Sequence, residues 1–139
     1  MSDGLRLPAR LAEELLRHAR AEAPNEACGL LAGDLASGTA SVYHPARNAD
    51  ASPHVYTVHP DDLVRIVPGI EDAGQDLVAI FHSHTRTPAV PSPTDRRQAF
   101  YPVVYLLATL IDPDASPAEC LRAWRITDGE SREVALELC

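Results

Sequence analysis

The chain begins its pattern with an amphipathic stripe. In PARLAEELLRHARAEA, Leu11, Leu15 and His18/Ala19 recur at helical spacing and Leu16 widens the apolar face, so a helix is predicted from Pro8 to about Ala23. Pro8 suits its first turn, and Ala23-Pro24-Asn25 ends it. The period then changes. Ala27–Ala32 (ACGLLA) is a short apolar run that reads as a buried strand, and Gly33-Asp34 starts a turn. Gly38–His44 is expected to be its hairpin partner, and His54–Val58 (HVYTV) a further strand. Asp61–Ala73 returns to helical spacing, with Pro68-Gly69 predicting a kink or two shorter pieces. Asp76–Phe81 (DLVAIF) and Val103–Ile111 (VVYLLATLI) read as central strands. Leu121–Thr127 and Glu133–Leu138 read as a closing hairpin around Asp128-Gly129. The expected class is α/β or α+β, a mixed β-sheet flanked by helices.

Composition narrows the function. A chain of 139 residues with 45% hydrophobic content fits one domain, residues 1–139, with a sizeable core. Its net charge of −8 argues against a nucleic-acid binder, which needs a basic face. No apolar run reaches the roughly 18–20 residues that span a membrane. The opening MSDGLRLPAR lacks the apolar core of a secretory signal. Cys28, Cys120 and Cys139 are odd in number and form no CxxC pair, which disfavours a disulfide framework or a cysteine-rich zinc site. Free thiols without an export signal point to the cytoplasm.

The densest chemistry lies in FHSHTRTPAVPSPTD, Phe81 to Asp95. Residues two apart on a strand share a face, so His82 and His84 project together if the strand DLVAIF continues through them. Two imidazoles on one face are ready zinc ligands, and Asp95 is placed to supply a third, leaving one position for water. The same letters also spell a helix start. Ser92 reads as N-cap, Pro93 as N1, and Asp95 as the N3 carboxylate of a capping box. The two readings are compatible, because a helix starting at Pro93 holds Asp95 on its first turn, facing the strand end.

HSH-x7-SxxD resembles the JAMM (MPN-plus) metalloprotease motif and matches it without a gap. That family also carries an upstream glutamate beside an apolar strand, and Asn25-Glu26-Ala27-Cys28-Gly29-Leu30-Leu31-Ala32-Gly33 looks like that element. The likeness covers nearly the whole chain. It implies the JAMM/MPN-like (cytidine-deaminase-like) fold and a zinc site of His82, His84 and Asp95. It further implies that Glu26 is general base and then acid, and that Ser92 donates to the developing oxyanion. Ser92 can cap the helix through a lone pair and keep its proton for that purpose. Ser83 points to the opposite strand face and reads as structural.

The other histidines (His18, His44, His54, His59) read as surface or packing residues. Cys28 reads as an inert core thiol, and Trp124 and the tyrosines as core or sheet-face residues. Arg86 borders the site and reads as solvated, with recognition of a carboxylate as the alternative.

Within the family, the eukaryotic deubiquitinases carry long insertions. Here only the nine residues 112–120 separate two predicted strands, and 44–58 is compact. The chain therefore resembles the short prokaryotic members that act on ubiquitin-like sulfur carriers ending in Gly-Gly. The implied activity is zinc-dependent hydrolysis of the amide after that Gly-Gly, releasing cysteine or freeing a lysine conjugate. No nucleic-acid or membrane partner is expected, and a homodimer is compatible. The alternatives are a non-catalytic MPN scaffold, which would lack the ligands seen here, and a cell-wall peptide hydrolase.

Overall fold

The structure is a computed structural model that describes residues 3–139. Its elements are β1 (Leu5–Leu7), α1 (Ala9–Glu22), β2 (Cys28–Asp34), β3 (Thr39–Ala46), α2 (Pro60–Asp72), β4 (Asp76–His84), α3 (Pro93–Arg97), β5 (Val104–Thr109), α4 (Pro117–Cys120), β6 (Leu121–Thr127), β7 (Glu130–Val134) and β8 (Leu136–Leu138). One mixed sheet in the order β7-β6-β5-β4-β2-β3-β1-β8 holds all eight strands. Ala135 alone joins β7 to β8, yet these strands form opposite edges. The sheet must therefore curl until its edges nearly meet. The Leu5 N–H, donating to the Ala135 carbonyl at 3.0 Å, ties them together.

The curl creates two cores. Inside it, α1 buries Leu11, Ala12, Leu15, Leu16 and Ala19 against Leu7, Leu31, Phe81 and Leu106. This is the stripe that the spacing predicts, with Pro8 as the N-cap residue just outside the helix. On the other face, Ile66 and Ile70 of α2 pack with Leu30, Ile80, Tyr105 and Leu107. Fully burying one such side chain stabilises by about 1.5–3 kcal/mol. Both central strands are thus packed from two sides, and β4 carries its C-terminal end out from between the two cores. Among the described residues, no helix is long and apolar enough to cross a membrane.

Three expectations need correction. Residues 60–72 form one helix through Pro68, so the break into two shorter pieces does not occur. The carbonyl that Pro68 leaves unpaired belongs to Val64, which is 75% exposed, so solvent satisfies it. His54–Val58 is no strand. Only Val58 forms a bridge, to Asn48, because the Thr57 N–H and the Val55 carbonyl are held by the Asn48 side chain. The closing hairpin forms around Asp128-Gly129, both at positive φ as a type I′ turn requires. Its second strand, however, begins at Glu130, and the residues after Ala135 leave it to pair with β1 in parallel.

Candidate metal centre

Register brings the first residues together. β2 runs antiparallel to β4, with Cys28 opposite His82. Counting back along β2 places Ala27 beside Ser83 and Glu26 beside His84. Two hydrogen bonds secure the Ala27–Ser83 pair: Ser83 N–H donates to the Ala27 carbonyl at 3.1 Å, and Ala27 N–H donates to Ser83 Oγ at 2.9 Å. Ser83 therefore works on the strand face opposite the histidines. The Glu26 backbone is held as well, its N–H donating to the Ser52 carbonyl at 2.8 Å and its carbonyl accepting from Asn48 Nδ2 at 3.0 Å.

The helix start behaves as its grammar predicts. Asp95 N–H donates to Ser92 Oγ at 3.0 Å, and Ser92 N–H donates to Asp95 Oδ2 at 2.9 Å. This capping box turns the Asp95 carboxylate back toward the end of β4. Asp95 Oδ2 lies 3.1 Å from both His82 Nε2 and His84 Nε2, and the two nitrogens are 3.3 Å apart. One ligand atom from each of Glu26, His82, His84 and Asp95 falls within 4.8 Å of the others, and all four residues are buried. Four of the five residues singled out by sequence thus converge. The fifth, Ser92, is half-buried and joins the cluster through its bonds with Asp95, and its cap contact leaves its own proton free.

Burial and mutual contact shift every titratable group of this cluster. Burial raises the Glu26 carboxyl to about 7, opposed by His84 and reinforced by Asp95. Burial lowers the His82 pKa despite its contact with Asp95. At His84 burial acts downward too, but Asp95, the Pro88 carbonyl and Glu26 outweigh it and hold the pKa above its ordinary value. For Asp95 burial is upward, and the two imidazoles overcome it to hold the carboxyl well below the carboxylate range.

The donor set fits a divalent metal. His84 Nδ1 faces the Pro88 carbonyl at 2.7 Å. That oxygen can only accept, so Nδ1 carries the proton and Nε2 of the neutral ring keeps a lone pair. A second nitrogen and a carboxylate oxygen crowd the same point, and Glu26 Oε1 is buried beside them with no hydrogen-bond partner among the described residues. Unpaired buried polar groups are costly, and a cation held by two imidazoles and a carboxylate resolves the crowding with common zinc chemistry.

Sequence reasoning missed two contributors. Tyr56 stacks on His82, with ring centroids 4.2 Å apart and planes 19° apart. It also lines a cavity of about 360 Å³ with Leu30, Ile80, Phe100, Tyr101 and Tyr105. Asn48 ties this loop to Glu26 through the contacts given above. Neither residue carried a sequence signal, since both act through a loop whose path depends on distant partners. Cys28 is the expected inert thiol, fully buried with its pKa pushed up by burial to about 12. Arg86 is exposed. His18 is half-buried and bonds the Tyr43 hydroxyl at 2.7 Å, whereas His59 caps α2.

Known proteins match this chain along most of its length. Residues 8–127 match the family of prokaryotic homologs of the JAB domain. The desampylase of Haloferax volcanii is 39% identical over 141 residues, covering 97% of this chain and 96% of that protein. The CysO-cysteine peptidase of Mycobacterium tuberculosis is 38% identical over 126 residues, covering 90% and 84%. A probable TtuB-protein conjugate cleaving protease of Thermus thermophilus is 36% identical over 104 residues, covering 74% and 68%. In three dimensions, a protein from Desulfitobacterium hafniense superposes with a TM-score of 0.86 at 33% identity, covering 97% of this chain and 92% of its own. A JAB1/MPN domain protein from Archaeoglobus fulgidus shares the fold, with a TM-score of 0.65 at 16% identity over 99% and 100% of the two chains.

Proposed function

The chain belongs to the family of prokaryotic JAB-domain proteins, and on that premise we propose that it is a zinc-dependent peptidase and isopeptidase. Its substrate is a ubiquitin-like or sulfur-carrier protein, and the bond cut is the amide after the C-terminal Gly-Gly. The leaving group is cysteine or the side chain of a conjugated lysine. The observation that carries this reading is the buried convergence of Glu26, His82, His84 and Asp95. The named relatives, a desampylase, a CysO-cysteine peptidase and a probable TtuB-conjugate protease, support the substrate class.

His82, His84 and Asp95 hold the metal in this reading. When bound, zinc supplies Lewis acidity and makes water a nucleophile near neutral pH. The chain's own residues do the rest. Glu26 Oε1 takes one proton from the attacking water, and its buried carboxyl, raised to about 7, is suited to hold it. The hydroxyl adds to the acyl carbon of the terminal glycine, and Glu26 returns the proton to the departing amine as the C–N bond breaks. Ser92, its lone pair engaged by Asp95 N–H, donates its free proton to the carbonyl oxygen as negative charge develops there.

The loop that carries Tyr56 offers the tail a place to lie. Thr57 turns its N–H to Asn48 Oδ1 and its carbonyl to Ala49 N–H. In an extended segment the neighbouring residues Tyr56 and Val58 then face their backbone groups the other way. An extended Gly-Gly tail can pair with that edge beside His82, with an apolar residue further up the tail in the cavity lined by Tyr105 and Phe100. Residues 1–139 serve as one catalytic domain in this proposal.

The test is incubation of purified carrier–cysteine and carrier–lysine conjugates with the protein, its metal content measured in parallel. We expect about one zinc per chain, cleavage that stops when a chelator strips the metal, and recovery when zinc is returned. Full cleavage by metal-free protein would overturn the mechanism.

A further inference from the structure

The seven residues Thr85–Pro91 between His84 and the capped helix lie outside regular structure, and most are exposed. No ladder of backbone bonds holds such a loop, yet one of its carbonyls sets the proton position of His84. Three consecutive carbonyls in it each receive a side-chain donor from a different element. Thr87 takes the Thr109 hydroxyl at 2.7 Å, Pro88 takes His84 Nδ1 at 2.7 Å, and Ala89 takes the Trp124 indole N–H at 2.9 Å. The outer two donors come from the end of β5 and the middle of β6, strands that carry none of the proposed ligands.

We propose that Thr109 and Trp124 are positioning residues for the metal. They grip the loop on either side of Pro88, so that the Pro88 carbonyl stays aimed at His84 Nδ1 and His84 presents Nε2 to the ion. This rests on the metal-site reading above. The grip is well enforced. Trp124 is buried in the second core, and Arg122 lies over its ring with Cζ 4.9 Å from the centroid. That arginine is itself fixed by two bonds to Glu133, at 2.9 and 2.8 Å. Ala89 is 2% exposed, so releasing the contact would strand a donor and an acceptor away from water. The Val90 N–H also donates to the Pro88 carbonyl, at 2.8 Å, and tightens the turn between the two grips.

The experiment removes one donor at a time with little change of shape. Trp124 is replaced by its benzothienyl analogue, which lacks the N–H, and Thr109→Val removes the hydroxyl. Thr109→Ser serves as the conservative rescue. Zinc affinity is read by competition with a chromophoric chelator, the ligand field by the visible spectrum of the cobalt-substituted protein, and folding by denaturation of the metal-free protein. We expect each donor-lacking variant to bind zinc about tenfold more weakly with an altered cobalt spectrum, while Thr109→Ser binds as the parent does. Folded variants that match the parent in both metal readouts would overturn the clamp. So would weakened binding shared equally by Thr109→Ser. A parent that binds no zinc overturns the metal-site reading and the clamp with it, whereas a parent that binds zinc beside variants that bind it equally overturns the clamp alone.

Discussion

Ser83 sits between the two histidines and touches neither the proposed metal nor the cavity, so its removal isolates the scaffold from the chemistry. In Ser83→Ala, Ala27 N–H loses its acceptor, the Oγ at 2.9 Å. Ala27 is 1% exposed and Ser83 is fully buried, so water cannot replace the hydroxyl. Leaving a buried donor unpaired costs about 1–3 kcal/mol, and the single lost oxygen leaves too little space to add a large cavity term. For a chain of this length each kcal/mol lowers the melting temperature by about 3–5 °C, so a fall of about 3–15 °C is expected. The assay is thermal and urea unfolding in the presence of chelator, where metal binding contributes nothing. Because Ala27 precedes β2 and follows Glu26, kcat should fall in the zinc-loaded variant while zinc affinity is retained. Unfolding curves and kcat that coincide with those of the parent would refute the claim that Ser83 fixes the approach of Glu26 to His84.

Glu26→Gln should leave zinc binding intact and reduce hydrolysis by at least about 100-fold, since the amide keeps the shape and loses the base. Loss of zinc in that variant would instead make Glu26 a ligand. Asp62→Asn should cost about 1–3 kcal/mol at pH 7, because Asp62 is buried and accepts three bonds from Arg47, at 2.7, 3.1 and 3.1 Å. Those bonds hold its carboxyl well below the ordinary value of 3.8. The native state therefore favours the ionised form, so the contribution is complete above that value and the gap between parent and variant shrinks as pH falls below it. Urea titrations at neutral and acid pH would check this, and a gap that widens in acid would contradict it. Gly29→Ala should destabilise by about 1–3 kcal/mol. A Cβ at that position would collide with the ring of Tyr43, which is buried and bonded to His18 and cannot easily withdraw. Unchanged denaturation midpoints would show that the ring yields.

What could be read from sequence was local. The stripe Leu11–Leu15–Ala19, the apolar run DLVAIF that leads into His82 and His84, and the Ser92–Asp95 box are each decided within one or two turns or strand pairs. The structure carries all three. Glu26 was reachable only through resemblance, because its place beside His84 depends on the register of β2 against β4, which pairs Ala27 with Ser83, 56 positions later. Residues after Ala135 continue the letters of a strand, and their transfer to β1 reflects the curl of the whole sheet. Tyr56 sits in a run that looks like a strand by propensity, but Asn48 takes its neighbours' backbone groups and leaves it a loop stacked on His82. Trp124 reads correctly as a core residue. Its indole N–H acquires meaning only when β6 is laid beside the loop that follows the histidines.

Cleavage after Gly-Gly is tested most directly by the mass of the carrier after incubation of a Gly-Gly conjugate with zinc-loaded protein. The expected products are a carrier ending in free Gly-Gly and the intact leaving amine, with the conjugate unchanged by Glu26→Gln. A cut elsewhere in the carrier, or the same products from the Glu26→Gln protein, would contradict it.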